Sequence, residues 1–241
     1  MPEKILIVVH QPTSTPGRVG MALEARGFEL DIRRPCMDHP LPETTQDYAG
    51  VVVFGGPMSA NDDVELPFIR RELDWFDVPL REETPFLGIC LGCQMLARTL
   101  GGTVMPHEDG WAEIGYYPID VTDAGKQLMT EWPDHVYQWH KEGFSTPKDS
   151  EILVTTDMFG NQAFRYGQSA FGVQFHAELT LAMMHRWTTK GRERLKMPGT
   201  RPREAHFEGR QVHDPAVKDW LERFLDLWLA TDVRSTALAA E

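Results

Sequence analysis

The chain has 241 residues, 41% apolar and 25% charged, the make-up of an ordinary folded globule with enough apolar side chains for a sizeable core. Its formal charge of −12 argues against nucleic acid as a partner, because phosphate binding needs clustered Lys and Arg. No apolar run reaches the ~20 residues of a membrane span, no signal peptide is visible before the first strand, and the odd set Cys36, Cys90 and Cys93 suits a reducing compartment, so a cytoplasmic protein is expected.

Lys4 to Val9 is a continuous apolar run, the pattern of a parallel strand buried on both faces. His10 follows it and reads as a loop histidine. Gly17 to Arg26 reads as a helix broken at Gly27, Phe28 to Arg33 as the next strand, and the proline-bearing segment from Arg34 to Gly50 as a loop. Val51 to Phe54 is a third strand, stopped by Gly55-Gly56-Pro57. Alone, that tripeptide is a plain turn; beside a reactive group, a glycine pair lets backbone N–H groups approach a ligand. Pro67 to Val78 reads as an amphipathic helix burying Ile69, Leu73 and Phe76, with Asp62 or Asp63 placed to cap it.

The short apolar run that opens at Pro85 reads as a buried strand and Leu91 to Leu100 as a helix stopped by Gly101-Gly102. Cys90 stands at the joint, with Gly88 and Gly92 two residues to either side. This is the geometry of a nucleophile elbow carrying sulfur in place of the hydrolase serine. It sets Cys90 at a helix N-terminus, where the partial positive charge favours thiolate.

Thr103 to Met105 and Ile114 to Val121 read as strands, Ala124 to Thr130 as a short helix, and His135 to His140, Glu151 to Thr156, Gln162 to Tyr166 and Ala170 to His176 as further strands. His135 and His140, five apart, face opposite sides and make no simple ligand pair. In the alternating, strand-like run from Phe171 to Glu178, His176 and Glu178 are two apart and share a side, so both can face Cys90, with Glu178 holding the imidazole. Leu181 to Leu195 reads as a helix and 196–211 as a polar loop. A helix from Pro215 to Leu229, capped by Asp214, carries a core stripe of Val217, Trp220, Leu221, Phe224, Leu225 and Trp228, and 231–241 reads as a flexible tail. Alternating strands and helices followed by successive strands predict one α/β domain over 1–241. Its core is doubly wound, a mostly parallel central sheet flanked by helices, with a small antiparallel extension.

Gly88-Ile89-Cys90-Leu91-Gly92-Cys93-Gln94 and Phe175-His176-Ala177-Glu178 resemble the two signatures of the class I, triad-type glutamine amidotransferases. Val51 to Pro57 resembles that family's oxyanion strand, and Gly55 to Asp63 with Glu113-Ile114-Gly115 has the look of the subgroup related to the amidotransferase domain of GMP synthetase, here as a stand-alone chain. The resemblance implies a flavodoxin-like fold and a hydrolase of glutaminase type. It implies Cys90, His176 and Glu178 as the catalytic residues, the backbone N–H groups of Gly56 and Leu91 as oxyanion donors, and Gln94 as a substrate contact. No metal or organic cofactor is required.

Glutamine or another γ-glutamyl amide is then the substrate, with Trp111, Tyr137 and Trp139 available to line its pocket. The chain has no G-x-x-x-x-G-K-[ST] phosphate loop, so ammonia is used by a separate synthase chain or simply released. Two other readings stand beside this one: a γ-glutamyl peptide hydrolase using the same three residues, and a non-catalytic or partner-activated binding module. A thioredoxin-like reading of Cys90-Leu91-Gly92-Cys93 leaves His176 and Glu178 idle.

Overall fold

A computed structural model describes residues 2–232. Its main sheet has eight strands. Five are parallel neighbours, in the order β2 (Glu29–Arg33), β1 (Lys4–Val8), β3 (Tyr48–Val53), β4 (Phe86–Ile89) and β12 (Ala170–Val173). Three antiparallel strands extend it beyond β12: β11 (Gly160–Tyr166), β10 (Ser150–Thr156) and β7 (Asp120–Val121). Two separate antiparallel pairs, β5 (Val104–Pro106) with β9 (Glu142–Phe144) and β6 (Glu113–Pro118) with β8 (His135–His140), lie outside the main sheet. The helices are α1 (Gly17–Ala25), α2 (Pro67–Trp75), α3 (Asp77–Arg81), α4 (Leu91–Thr99), α5 (Asp123–Leu128), α6 (Leu181–Lys190) and α7 (Arg203–Leu229). No helix among the described residues is long and apolar enough to cross a membrane.

The central strands read as unbroken apolar runs because both faces of the sheet are covered. Ile5 and Ile7 of β1 point into a core shared with Val19 and Leu23 of α1 and Trp220, Phe224 and Trp228 of α7. Leu6 and Val8 point the other way, onto Ile69 and Leu73 of α2 and Met95 and Leu96 of α4. The stripe expected on the last helix is therefore core, and all six of its residues are buried.

Several boundaries differ from the sequence reading. β3 begins at Tyr48, inside the expected loop, because Tyr48 is buried and its hydroxyl donates to Asp31 Oδ2. The helix expected over 67–78 is two, α2 and α3, with Pro79 tolerated in the first turns of the second. Neither Asp62 nor Asp63 caps α2: Asp62 accepts from Ser59 N, and Asp63 pairs with Arg98 at 2.7 Å. β9 has no counterpart among the expected strands. α6 ends at Lys190 rather than Leu195.

The expected 196–211 loop is helical from Arg203, as α7 begins there and runs through Pro215. That proline forfeits only its own bond to the Gln211 carbonyl, and Asp214 is not a cap but a partner of Arg18 and Arg210. Gly209 lets α7 close on Tyr116, where a Cβ would sit 2.7 Å from the ring. The expected tail lies outside the described residues from 233 onward.

The order β2-β1-β3 reverses direction at β1, which opens a crevice at the carboxyl ends of the parallel strands. The chain leaves β1 into His10, β3 into Gly55, β4 into Cys90 and β12 into Gln174-Phe175-His176. Four segments from distant parts of the sequence thus meet at one edge.

Candidate active site

Cys90 has φ 53° and ψ −105°, a backbone conformation that L-residues rarely adopt. Such a residue stores roughly 1–3 kcal/mol of strain and persists only where its surroundings hold it. Here the holding contacts are close. A Cβ at Gly92 would stand 2.1 Å from Val53 O, and one at Gly88 would stand 2.6 Å from the Gly92 backbone. Cys90 N–H donates to Val173 O at 2.8 Å, which fastens the end of β4 to the end of β12. The glycines therefore permit the turn, the neighbouring strands fix it, and α4 starts directly after Cys90 with its positive end toward the sulfur.

β12 ends at Val173, three residues short of the expected strand, and the chain bends so that His176 N–H donates to Tyr137 O at 2.8 Å. His176 and Glu178 still meet, across a turn rather than along a strand: Nδ1 lies 2.7 Å from Glu178 Oε1. The start of α1 pins this segment, since Arg18 N–H donates to Glu178 O at 2.8 Å and Gly17, at φ 54°, would put a Cβ 2.3 Å from that same oxygen. The Trp187 ring stands edge-on to the imidazole at 4.8 Å.

Burial alone would lower the His176 pKa. The Glu178 carboxylate, and then the sulfur of Cys90, overcome it and push the imidazole up to about 10. His176 Nε2 and Glu178 Oε2 are buried without a hydrogen-bond partner among the described residues. A cavity of about 470 Å³ opens on this group, lined by Cys90, His176 and Glu178. Gly55 stands between them: a Cβ there would lie 3.1 Å from His176 Cε1 and 3.7 Å from Cys90 Sγ.

Gly55 and Gly56 line the cavity, while Leu91 N–H is the first amide of α4. Neither Gly56 N–H nor Leu91 N–H donates a backbone hydrogen bond among the described residues. Gln94, expected to contact substrate, does not line the cavity. It is buried behind it, its Nε2 donating to Glu142 O at 2.8 Å and Gln174 Oε1 at 3.1 Å, because β9 packs against α4 on that side.

Of the three candidate pocket aromatics only Trp139 reaches the cavity. Tyr137 is core, its hydroxyl 2.9 Å from His206 Nδ1, and Trp111 lies on the surface. His140 is held by Glu113 at 2.9 Å and by Glu142 O. No three His, Cys, Asp or Glu side chains converge as a metal site would require among the described residues. The opposite wall escapes the sequence motifs: Trp187, Met183, Arg186 and Lys190 of α6, with Gln11 to Thr15 after β1. The only available signal is that helix's basic face.

This arrangement suits attack by sulfur on a small carbonyl compound, with a proton carrier beside it. The family model described as glutamine amidotransferase class-I matches residues 19–190. The glutamine amidotransferase-like protein YfeJ of Salmonella typhimurium is 27% identical over 231 residues, covering 92% of this chain and 96% of that one. The glutamine-hydrolyzing GMP synthase of Cytophaga hutchinsonii is 30% identical over 187 residues, 75% of this chain but 34% of that protein, so the chain spans about a third of that relative. A subunit of the glutamine-hydrolyzing GMP synthase of Methanospirillum hungatei is 27% identical over 164 residues, 64% of this chain and 77% of that one. A glutamine amidotransferase of Thermotoga maritima superposes with a TM-score of 0.85 at 28% identity, covering 95% of this chain and 99% of that one. With a family model spanning most of its length and whole-chain matches in both sequence and fold, the chain belongs to the class I glutamine amidotransferase family.

Proposed function

We propose that this protein hydrolyses the side-chain amide of glutamine or of another γ-glutamyl compound, with Cys90 as nucleophile. The observation that carries this reading is the His176–Glu178 pair, whose unpartnered Nε2 lies beside Cys90 in the cavity. The Cys90 thiolate attacks the amide carbon, and Gly56 and Leu91 N–H groups receive the oxyanion. The C–N bond breaks as imidazolium His176 gives its proton to the departing amine. Water then loses a proton to His176 and adds to the thioester. The C–S bond breaks, which releases the γ-carboxylate and restores the thiolate–imidazolium pair.

Arg186, Lys190 and Arg194 line the cavity and make no ion pair among the described residues, whereas their neighbours Arg192 and Lys196 pair with Glu193. The one acidic lining residue, Glu178, is committed to His176. Three unneutralised cations in a chain of net charge −12 exceed what the single carboxylate of glutamine calls for. They favour the second reading, a γ-glutamyl peptide whose leaving amine carries a further carboxylate. The test is glutamate release from glutamine and from γ-glutamylglutamate. The doubly substituted Arg186→Gln, Lys190→Gln protein should lose about tenfold more kcat/KM on the peptide than on glutamine. Equal losses, or preference for glutamine in the unaltered protein, reject the peptide reading and leave glutamine.

If glutamine is the substrate, a separate synthase chain is the proposed acceptor of the ammonia. The designation of one relative as a GMP synthase subunit supports this. The non-catalytic module is disfavoured by the intact set of Cys90, His176 and Glu178.

A further inference from the structure

Behind the cavity, and outside the machinery described so far, is a second buried histidine–carboxylate pair. His10, at the end of β1, and Glu72, in α2, are both 0% exposed, and His10 Nε2 lies 2.9 Å from Glu72 Oε2. The other ring nitrogen, Nδ1, lies 3.3 Å from Gly55 O. His10 does not line the cavity, so it cannot touch a substrate.

Both neighbours of this ring are acceptors. A neutral imidazole has one donor and one lone pair, so against a carboxylate and a carbonyl one contact would be lone pair against lone pair. Two donors satisfy both. Burial opposes that protonated form, but the Glu72 charge and the hydrogen bonds to Glu72 and Gly55 outweigh it and raise the His10 pKa. Nδ1–H is thereby committed to Gly55 O.

The carbonyl it holds belongs to the peptide joining Gly55 to Gly56. No cis peptide bond occurs among the described residues, and in a trans peptide the C=O and N–H point in opposite directions. With its oxygen drawn toward His10, this trans peptide turns the Gly56 N–H away from His10. A glycine pair is the segment in which such a peptide could otherwise flip, since neither residue carries a Cβ to restrict it.

We propose that the His10–Glu72 pair is a positioning device that holds the Gly55–Gly56 peptide with its N–H presented to the oxyanion. This deepens the amide-hydrolysis reading and rests on it. The pair acts on the acyl-transfer step alone, because alkylation of a thiolate by iodoacetamide develops no oxyanion.

The experiment compares His10→Gln and His10→Asn with the unaltered protein in two assays, kcat for glutamate release and the rate of Cys90 alkylation by iodoacetamide. Asparagine can set an amide N–H near the Nδ1 position; glutamine reaches only toward Nε2. His10→Gln should lower kcat by about 10²-fold, the scale of losing one oxyanion donor. Its alkylation rate should stay within about twofold, and His10→Asn should recover most of kcat. If His10→Gln does not fold, His10→Asn carries the test alone, with kcat expected within about tenfold of the unaltered protein. The proposal is overturned if kcat of His10→Gln is unchanged, if alkylation falls in parallel with kcat, or if the asparagine variant is no better than the glutamine one. The amide-hydrolysis reading fails separately, if Cys90→Ala still releases glutamate.

Discussion

Cys90→Ala is expected to abolish glutamate release, with kcat down by about 10⁴-fold or more, while the protein stays folded. The magnitude follows from the place the proposed mechanism gives Cys90 in a set that acts as a unit: without sulfur no thioester would form, and the remaining groups would offer only oxyanion binding and substrate positioning. The fold should survive because alanine keeps the Cβ of Cys90 and removes a single atom from the core cluster it belongs to. Stability carries a second signature of the elbow. Alanine retains a Cβ at φ 53° and so retains the strain, whereas glycine relieves it. Cys90→Gly is therefore expected to be about 1 kcal/mol more stable than Cys90→Ala, although both are inactive. Chemical denaturation of the two variants reads this difference. An alanine variant more stable than the glycine one would mean that the turn is unstrained.

Glu178→Gln is the second large effect. Replacing the carboxylate removes the largest influence that raises the His176 pKa and leaves burial, which lowers it, opposed by the sulfur of Cys90 alone. His176 then holds its proton less tightly. The glutamine amide can also donate to Nδ1, which places the imidazole proton on Nε2 without the positive charge that makes it a ready acid. The loss expected from a triad orienter that stabilises the wrong tautomer is about 10⁴-fold in kcat, with KM little changed.

Stability should respond in one direction with pH. A group whose folded pKa is raised from 6.5 to about 10 contributes stability that is fully present below pH 6.5 and is lost as pH rises through about 10. In Glu178→Gln that alkaline loss should shrink and begin at lower pH. Denaturation midpoints of both proteins between about pH 6 and 10.5 test it, and an identical decline in the two would show that His176 is not the titrating group.

The parallel core was legible because it is buried on both faces, which leaves runs such as Ile5 to Val9 with no polar interruption. The elbow was legible because the turn at Cys90 tolerates only glycine at positions 88 and 92, and the backbone clashes there show why. His176 and Glu178 were rightly brought together by their spacing, although a bend and not a strand does it.

What the sequence concealed is tertiary. Pro215 looks like a helix start because proline is favoured there, and only the packing of Gly209 against Tyr116 reveals that the helix began at Arg203. Gln94 sits within the elbow motif, yet its amide is claimed by a carbonyl of β9, a strand too short for periodicity to reveal. His10 follows an apolar strand and looks like a loop residue. Its burial depends on Glu72, 62 residues away, and no local pattern links them.

The most direct test of the central claim is mass-spectrometric mapping after treatment with a glutamine-mimicking electrophile. One adduct per chain is expected, on Cys90, blocked by excess substrate and coincident with loss of glutamate release. Modification of Cys36 or Cys93 with Cys90 untouched, or glutamate release that persists once Cys90 is fully labelled, would contradict it.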